Sequence, residues 1–339
     1  MKYLTVFIMV SMVLLSCSRL PDDGQLSIFR YNEAAGITSL DPAFARDLAN
    51  IWACNQLFDG LVMLDDKLNI VPAIARSWDI SEDGRVYTFQ LRDDVLFHDH
   101  EAFESGQGRP VNARDFVYSF GRIIDPAVAS PGAWVFNNVD PDDIVAVNDS
   151  TLVITLQQPF TPFLGLLCMQ YCNAVPPEVV KKLGRDFRKD PSGCGPFTFK
   201  YWKEGVKLVL EKNENYYMAD EEGEQLPYLD AVSITFLIDK QSAFLQFIQG
   251  KIDFMSGIDA SYKDELLTPD GRLNPAYGDR IYLLRQPYLN TEYLGIMVGD
   301  DGSGDDENPL HDPLLRKAIS HGFDRVKMMR YLRNNIGIP

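Results

Sequence analysis

The sequence WDISEDGRVYTFQLRDDVLFHD, residues 78–99, carries the clearest structural pattern in the chain. Its centre alternates apolar and polar residues, which places Tyr87, Phe89 and Leu91 on one face of a β-strand. The preceding SEDG has turn composition, and Gly84 can adopt the positive φ that such a turn requires. We therefore predict a turn followed by a strand whose apolar face is buried.

A second pattern, PVNARDFVYSFGRIIDP at 110–126, predicts a helix. Asn112 stands at the N-cap and Asp115 completes a capping box, while Phe116 and Phe120 lie on the buried stripe.

The alternation of strands and helices along the chain predicts an α/β architecture. The further predicted elements are a strand in LSIFRYNEAAGITSLDP (26–42), a helix in DLANIWACNQLFDGLV (47–62), a strand in STLVITLQQP (150–159), two strands around Gly205 in GPFTFKYWKEGVKLVLEKNENYY (195–217), a strand in DAVSITFLI (230–238), a helix with a stop at Gly250 and a short strand in KQSAFLQFIQGKIDF (240–254), and one last helix in DPLLRKAISHGFDRVKMMRYLR (312–333).

Length and composition limit the class of protein. The 339 residues are enough for two domains, and 46% hydrophobic with 12% aromatic residues excludes a disordered chain. A formal net charge of −16 disfavours nucleic acid as a partner, because phosphate binding needs a surplus of Lys and Arg. The chain has only 4 His and contains no GxSxG, HExxH or P-loop motif, so no sequence motif indicates an enzymatic function.

The N-terminus has the composition of an export signal. Lys2 precedes an apolar run that is too short to span a membrane, and LLSC, ending at Cys17, resembles the bacterial lipobox. This predicts a lipoprotein signal peptide at 1–16, lipid attachment at Cys17 and a linker at 17–25. The protein is then anchored by lipid to a bacterial membrane, facing the periplasm or the cell exterior. A signal cut elsewhere, with Cys17 incidental, is the alternative.

An exported chain can form disulfides. Cys54, Cys168, Cys172 and Cys194 allow three complete pairings, and the sequence does not choose among them. A zinc site is disfavoured because the paired CxxC spacing is missing and no His lies near. Disulfides and free buried thiols both remain open.

Several segments, in this order, resemble the family 5 extracellular solute-binding proteins of ABC transporters, the oligopeptide- and dipeptide-binding type. One matching segment alone would be weak, but the ordered series behind a lipobox is specific. The segments are SLDPAFARDLANIWACNQLFDGLV, PAIARSWDISEDGRVYTFQLRDDVLFHD, PVNARDFVYSFGRIIDP, GCGPFTFKYWKEGVKLVLEKNENYY, LPYLDAVSITFLIDKQSAFLQFIQGKIDF, EYLGIMV and DPLLRKAISHGFDRVKMMRYL.

The resemblance implies an α/β, periplasmic-binding-protein-like type II clam fold with an extra middle domain. The predicted divisions are lobe I in two parts (26–58 and 175–287), a middle domain (59–174) and the start of lobe II (288–339). Members of the family continue well beyond the equivalent of Pro339. We therefore expect lobe II to be largely missing and the chain to be C-terminally truncated, and a non-functional fragment is one reading.

The resemblance also implies the function. Such proteins are not enzymes; they capture a peptide between their lobes and deliver it to the permease subunits of an ABC importer. They act as monomers and need no cofactor. Other members of the family bind nickel, haem or oligosaccharides or act as sensors, so these ligands remain alternatives.

By the same resemblance, the lobe I strand that pairs with the peptide falls on AFARDL, so Arg46, Asp47 and Leu48 are candidate ligand-binding residues, mainly through their main chain. The alternative is that Arg46 and Asp47 belong to the solvated first turn of a helix. Trp134 matches a region that presents an aromatic ring to the ligand, and a packed core Trp is its alternative. The acidic residue that pairs with the peptide's amino terminus belongs to the part of lobe II beyond this chain.

Two segments have metal-like composition. HDHEAF, with His98, Asp99, His100 and Glu101, is predicted to be part of an inserted, exposed loop, because convergent ligands are not evident. GDDGSGDDENP, at 299–309, lacks the spacing of a calcium loop and is predicted to be a flexible acidic connection. We therefore expect no metal site.

Overall fold

In the computed structural model of this chain, the described residues are 26–285, 291–298 and 308–339. The predicted signal peptide, Cys17 and the linker to residue 25 lie outside them, as do the predicted lobe boundary at 287/288 and most of the acidic connection. Among the described residues, no helix is both long and apolar enough to cross a lipid bilayer.

The chain forms two compact units. The first contains the described residues up to Asp239 together with Gln246–Phe254, and the second contains Lys240–Leu245 and the described residues from Met255 to Pro339. The predicted domain boundaries inside the first unit remain predictions.

The strands are β1 (Ile28–Asn32), β2 (Val62–Leu64), β3 (Ile70–Pro72), β4 (Ala75–Ile80), β5 (Val86–Leu91), β6 (Val139–Asn148), β7 (Thr151–Leu156), β8 (Phe197–Lys203), β9 (Lys207–Lys212) and β10 (Ala231–Thr235). The α-helices are α1 (Leu48–Leu57), α2 (Ala113–Ile124), α3 (Phe163–Leu166), α4 (Pro177–Leu183), α5 (Lys240–Ile248), α6 (Lys263–Leu266), α7 (Pro313–Gly322) and α8 (Arg325–Leu332). Short 3₁₀ helices cover Pro42–Phe44, Ala133–Phe136, Gln170–Cys172, Gly184–Arg188, Pro275–Tyr277 and Pro309–His311.

The predicted strand in residues 78–99 is β5, an interior strand of an antiparallel sheet with the order β4-β5-β7-β6. Its alternation is confirmed, since Tyr87, Phe89 and Leu91 are all buried. Phe89 pairs with Leu152 of β7, whose apolar residues alternate in the same way. The turn before β5 uses Gly84 at a φ of +68°. The sheet packs against α2 through β6 and β7.

Helix α2 begins as its sequence predicts. The Asn112 side chain accepts from the N–H of Arg114, and the Asp115 carboxylate accepts from the N–H of Asn112 at 2.9 Å, so the capping box is complete. Phe116 and Phe120 are fully buried. Local sequence alone thus specifies both where this helix starts and which face it buries.

A second sheet joins distant parts of the chain in the order β1-β10-β9-β8. Strand β1, near the N-terminus, runs parallel to β10, and Ile28 pairs with Ala231. The predicted turn between β8 and β9 is present, with Gly205 at a φ of +68°. The N-terminal strand therefore takes its place in the sheet by pairing with residues about 200 positions later in the chain.

Two predicted elements differ from the structure. The last helix is divided, because α7 ends at Gly322 and the Asp324 side chain caps a new helix by accepting from the N–H of Lys327 at 2.9 Å. The short strand predicted after Gly250 is only a single bridge between Phe254 and Tyr31.

Cys54, Cys168, Cys172 and Cys194 are all free thiols. Burial raises the pKa of the Cys168 thiol to about 11, and it raises the pKa of the other three as well. These thiols are therefore protonated at neutral pH and weakly reactive.

Three distant segments meet around two glycines. The N–H of Gly195 donates to the carbonyl of Leu57 at 2.9 Å, and the N–H of His98 donates to the carbonyl of Gly193 at 2.7 Å. A Cβ at Gly193 would overlap the Leu57 carbonyl, and one at Gly195 would overlap the backbone at Leu57 and Phe58. The close approach of the backbones therefore requires glycine at both positions.

Two ionisable groups lie beside this crossing, the buried His98 and the half-buried Asp59, whose Oδ2 atom is covered. His98 Nε2 lies 3.0 Å from the carbonyl of Gly195, and burial lowers the pKa of His98 to about 4. Burial raises the pKa of Asp59 to about 6, and its Oδ2 atom has no hydrogen-bond partner among the residues that the structure describes. Both groups are therefore neutral in part of the mildly acidic range, and their contributions to stability change with pH in opposite directions.

We predict that replacing Asp59 or His98 singly will remove one of these two pH-dependent contributions to the unfolding free energy and leave the other. The stability that Asp59 contributes is present below pH 3.8 and is lost as the pH rises through about 6, whereas that of His98 is present above pH 6.5 and is lost as the pH falls through about 4. Relative to wild type, Asp59→Asn should gain roughly 3 kcal/mol of unfolding free energy between pH 4 and 7. His98→Gln should gain a similar amount of unfolding free energy relative to wild type as the pH falls from 7 to 4.

Urea unfolding measured at pH 4, 5, 6 and 7 checks this prediction. The side chains that face Asp59 (Tyr216, Tyr217 and Cys194) do not titrate in this range, because burial raises the pKa of each. Stability curves of both variants that run parallel to the wild-type curve would contradict the assignment.

Candidate functional site

The candidate ligand-binding residues Arg46, Asp47 and Leu48 lie between a 3₁₀ turn and helix α1. No β-strand covers AFARDL, so the strand expectation is wrong for this segment as the structure describes it. Asp47 is the N-cap of α1 and Leu48 is its first residue. The alternative reading, the solvated first turn of a helix, matches the structure.

The Asp47 carboxylate is occupied by this capping. Its Oδ1 atom accepts from the N–H of Asn50 at 3.1 Å, and Oδ2 accepts from Asn50 Nδ2 at 2.9 Å. The buried Asn50 side chain in turn accepts from the N–H of Thr38 at 2.9 Å. Local chemistry thus chooses a helix start here, because Asp is among the preferred N-cap residues.

The main chain of this turn keeps free hydrogen-bonding groups. The N–H of Arg46 donates to Phe44, and the carbonyl of Asp47 accepts from Ile51. Among the described residues, the carbonyl of Arg46 and the N–H groups of Asp47 and Leu48 have no partner. All three residues are exposed.

Three tethers hold the turn in place. Arg122 of α2 donates to both oxygens of Asp41, at 2.8 and 2.5 Å, and the two side chains are only 12% and 4% exposed. Ser130 Oγ donates to the carbonyl of Ala43 at 2.6 Å, and the Gln170 amide donates to the carbonyl of Ala45. The exposed turn is therefore fixed on a rigid base.

The charge of Asp41 stabilises the Arg122 cation. Burial alone would lower the pKa of the guanidinium, but the hydrogen bonds and the charge of Asp41 outweigh burial and raise it. The carboxylate also caps the 3₁₀ turn by accepting from the N–H of Ala43 at 3.0 Å. One buried ion pair therefore sets the position of the turn that precedes Arg46.

Trp134 is exposed, with 48% of its surface accessible, so the alternative of a packed core Trp is wrong. It lies on the 3₁₀ helix that follows Gly132, and a Cβ at Gly132 would overlap the ring of Tyr171. The charges of Arg46 and Asp47 act on the Tyr171 hydroxyl, whose pKa is raised mainly by burial. Tyr171 therefore packs against the segment that carries Trp134, within range of the charges at Arg46 and Asp47.

The predicted metal-like loop is engaged in packing. His98 uses both ring nitrogens, because Nδ1 accepts from the N–H of Gly193 at 3.3 Å and Nε2 contacts Gly195. The His100 side chain is only 7% exposed and accepts from the N–H of Ala102 at 3.0 Å, while its Nε2 lies 3.4 Å from Asp190. The segment is a loop as expected, but it is not exposed at His98, His100 or Phe103. Within the described residues, no cluster of His, Cys, Asp and Glu is arranged to hold a metal.

Sequence reasoning missed the residues that position the turn: Asp41, Arg122, Ser130 and Gln170. Asp41 and Arg122 are separated by 81 residues, and neither lies in a local sequence motif from which its partner could be predicted. The only local signal was the Asp41-Pro42 pair, which is typical of a turn or helix start.

We predict that Arg122→Met destabilises the protein by about 3–5 kcal/mol, because it leaves Asp41 buried and unpaired. Arg114→Met is the matched control on the same helix. Arg114 pairs with Asp149 at 3.5 Å with both side chains 76% exposed, so its loss should cost less than about 1 kcal/mol. Denaturant unfolding measures both changes, and the double variant Asp41→Asn/Arg122→Met should recover part of the loss. Equal effects of the two Arg substitutions would refute the role of the buried pair.

The sequence is similar to those of curated bacterial binding proteins. It is 28% identical over 326 residues to the periplasmic oligopeptide-binding protein OppA of Escherichia coli strain K12. This alignment covers 91% of this chain and 54% of OppA. The sequence is 24% identical over 302 residues to the glutathione-binding protein GsiB of Pectobacterium atrosepticum, covering 89% of this chain and 53% of GsiB. The chain thus spans about half the length of these curated relatives.

Solved structures have the same fold. The periplasmic binding protein DppA of Helicobacter pylori, in complex with the peptide STSA, matches with a TM-score of 0.62 and 30% identity, covering 70% of this chain and 48% of DppA. The murein tripeptide-binding protein MppA of Escherichia coli matches with a TM-score of 0.63 and 28% identity, covering 72% of this chain and 48% of MppA. The predicted α/β periplasmic-binding-protein fold is therefore confirmed.

The family assignment rests on most of the chain. Residues 69–339 match the family described as bacterial extracellular solute-binding proteins, family 5 Middle. Together with the relatives and the fold, this match shows that the chain belongs to the family 5 bacterial extracellular solute-binding proteins.

Proposed function

We propose that this protein is an extracytoplasmic solute-binding lipoprotein that captures peptides and delivers them to the permease of an ABC importer. The observation that carries the proposal is the exposed turn at 46–48, whose main chain keeps groups without a partner among the described residues, together with the exposed ring of Trp134, in a chain whose relatives include a peptide-bound DppA. The protein acts as a monomeric binding protein and not as an enzyme.

Main-chain recognition suits a peptide ligand. The free carbonyl of Arg46 and the N–H of Leu48 supply an acceptor and a donor to an extended peptide. Such hydrogen bonds do not depend on the ligand's side chains, so one site accepts many sequences. A ligand that also contacts a second lobe would favour a closed state of the protein.

The chemistry of the nucleophilic and basic side chains supports binding over catalysis. The thiols of Cys54, Cys172 and Cys194 are buried, and burial raises their pKa. His98, with its pKa lowered to about 4, makes its contacts with backbone groups inside the fold. These groups therefore serve packing.

We expect the purified chain to bind trialanine in isothermal titration, and to do so through the main chain at Leu48. Leu48→Pro removes one N–H at the first helical position, where proline fits, and Asp47 already has the extended backbone that precedes proline (φ −112°, ψ 158°). The variant should stay folded and bind trialanine roughly 2–10-fold more weakly. Leu48→Ala, which keeps the N–H, is the matched control and should bind like wild type.

The same titration includes a nickel chelate, haem and an oligosaccharide as alternative solutes. Binding of one of these in place of trialanine would show that the scaffold serves another solute and would exclude the peptide proposal.

The lipoprotein proposal has its own test. Cells that express the chain and grow with radiolabelled palmitate should label the wild-type protein and retain it in the membrane fraction. Cys17→Ala should abolish the label and release the protein, because the acyl chains supply the membrane affinity. Cys168→Ala controls for labelling of another cysteine. Labelling that persists in Cys17→Ala would show that Cys17 is not the attachment site.

A further inference from the structure

A pocket of about 290 Å³ opens beside the 3₁₀ helix that carries Trp134. Its apolar walls are Trp134, Pro159, Phe160 and Leu166, and Asn137 and Gln158 supply amide groups. Pockets for drug-sized ligands range from about 300 to 1,000 Å³, so this one suits a single side chain better than a whole peptide.

Two aromatic rings in the pocket remain accessible to solvent. Trp134 is 48% exposed and Phe160 is 41% exposed. A third ring, Phe163, lies buried in the pocket lining and packs edge-on against Tyr87 with ring centroids 5.2 Å apart. Exposed aromatic surface around an apolar concavity gains free energy when another apolar group covers it.

The pocket is formed before any ligand arrives. Asn138 Nδ2 donates to the carbonyl of Gln158 at 2.7 Å, and the N–H of Gln158 donates back to Asn138 Oδ1 at 3.1 Å. This pair locks the segment of Pro159 and Phe160 to the end of the 3₁₀ helix. A preformed wall lowers the ordering cost of binding.

Within the part of the chain that the structure describes, no charged side chain lines the pocket. In a chain with 24% charged residues and a net charge of −16, this makes the pocket an uncharged site on a strongly charged protein. A Lys, Arg, Asp or Glu side chain would lose its water there without gaining an opposite charge. The lining therefore selects against charged groups and favours apolar ones.

The pocket shares Trp134 with the candidate ligand-binding residues. The segment of Trp134 packs at Gly132 against the ring of Tyr171, and the Tyr171 hydroxyl is within range of the charges of Arg46 and Asp47.

We propose that this pocket receives an aromatic or large aliphatic side chain of the bound peptide, held between Trp134 and Phe160, and thereby gives the site a preference among peptides. This inference rests on the proposed function, since the occupant is part of a peptide ligand. It adds a selectivity that main-chain pairing alone does not have.

The experiment titrates the full chain with the tripeptides Ala-Xaa-Ala, where Xaa is Phe, Leu, Ala, Lys or Glu. Wild type should bind the Phe and Leu peptides about tenfold more tightly than the Ala, Lys and Glu peptides. Trp134→Ala and Phe160→Ala should each reduce this difference to about twofold or less, whereas Trp134→Phe should keep it. Tyr201→Ala, which also removes a ring 48% exposed but on β8, is the matched control and should leave the preference unchanged.

The outcomes separate the two proposals. Equal binding of all five peptides by wild type would overturn the pocket assignment and leave peptide capture standing. The same result follows if Trp134→Ala and Phe160→Ala weaken all five peptides equally. No binding of any peptide would overturn both proposals.

Discussion

The hydrogen bond from the N–H of Gly195 to the carbonyl of Leu57 is the contact on which the first unit depends. It joins the end of α1 to the residues that lead into β8, and neither glycine at this crossing has room for a Cβ. Next to it, the N–H of Ala174 donates to the carbonyl of Asp59 at 3.0 Å. The chain therefore enters and leaves the predicted middle domain at one point, and this point is fixed by backbone contacts that no side chain can replace.

A rigid crossing has consequences for the candidate site. The turn at 46–48 starts the helix that ends at the crossing, and Tyr171 lies just before the chain returns to it. Both sides of the site are therefore anchored to the same backbone junction. The buried Asp41–Arg122 pair adds a second fixed point, so the free main-chain groups of the turn are held in place without a ligand. Pre-organisation of this kind lowers the cost of binding.

Local rules were enough to predict the elements whose causes are local. The alternation at Tyr87 and Phe89 and the capping box at Asn112 each depend on a few neighbouring residues, and each prediction is confirmed. The family resemblance assigned a strand to Arg46–Leu48, but the Asp47 cap, which is also local, gives a helix start there.

What the sequence could not supply is the pairing of distant residues. Leu57 and Gly195 are 138 positions apart, and Asp41 and Arg122 are 81 positions apart. Neither composition nor periodicity marks these partners, because each acts only after the fold has brought it close. Trp134 was a candidate by resemblance, but the uncharged pocket that it shares with Phe160 depends on tertiary contacts alone.

Charge and selectivity operate at different ranges in this protein. The net charge of −16 acts over distances of about a Debye length, 8–10 Å at physiological salt, and so influences how solutes approach. The pocket beside Trp134, as proposed, would act only on contact, and its described lining carries no charged side chain. A cationic peptide would therefore be attracted to the protein as a whole while its charged side chain gains nothing in the pocket. Selectivity for apolar side chains should accordingly persist at high salt, where long-range attraction is screened, because burial of apolar surface does not depend on the protein's net charge.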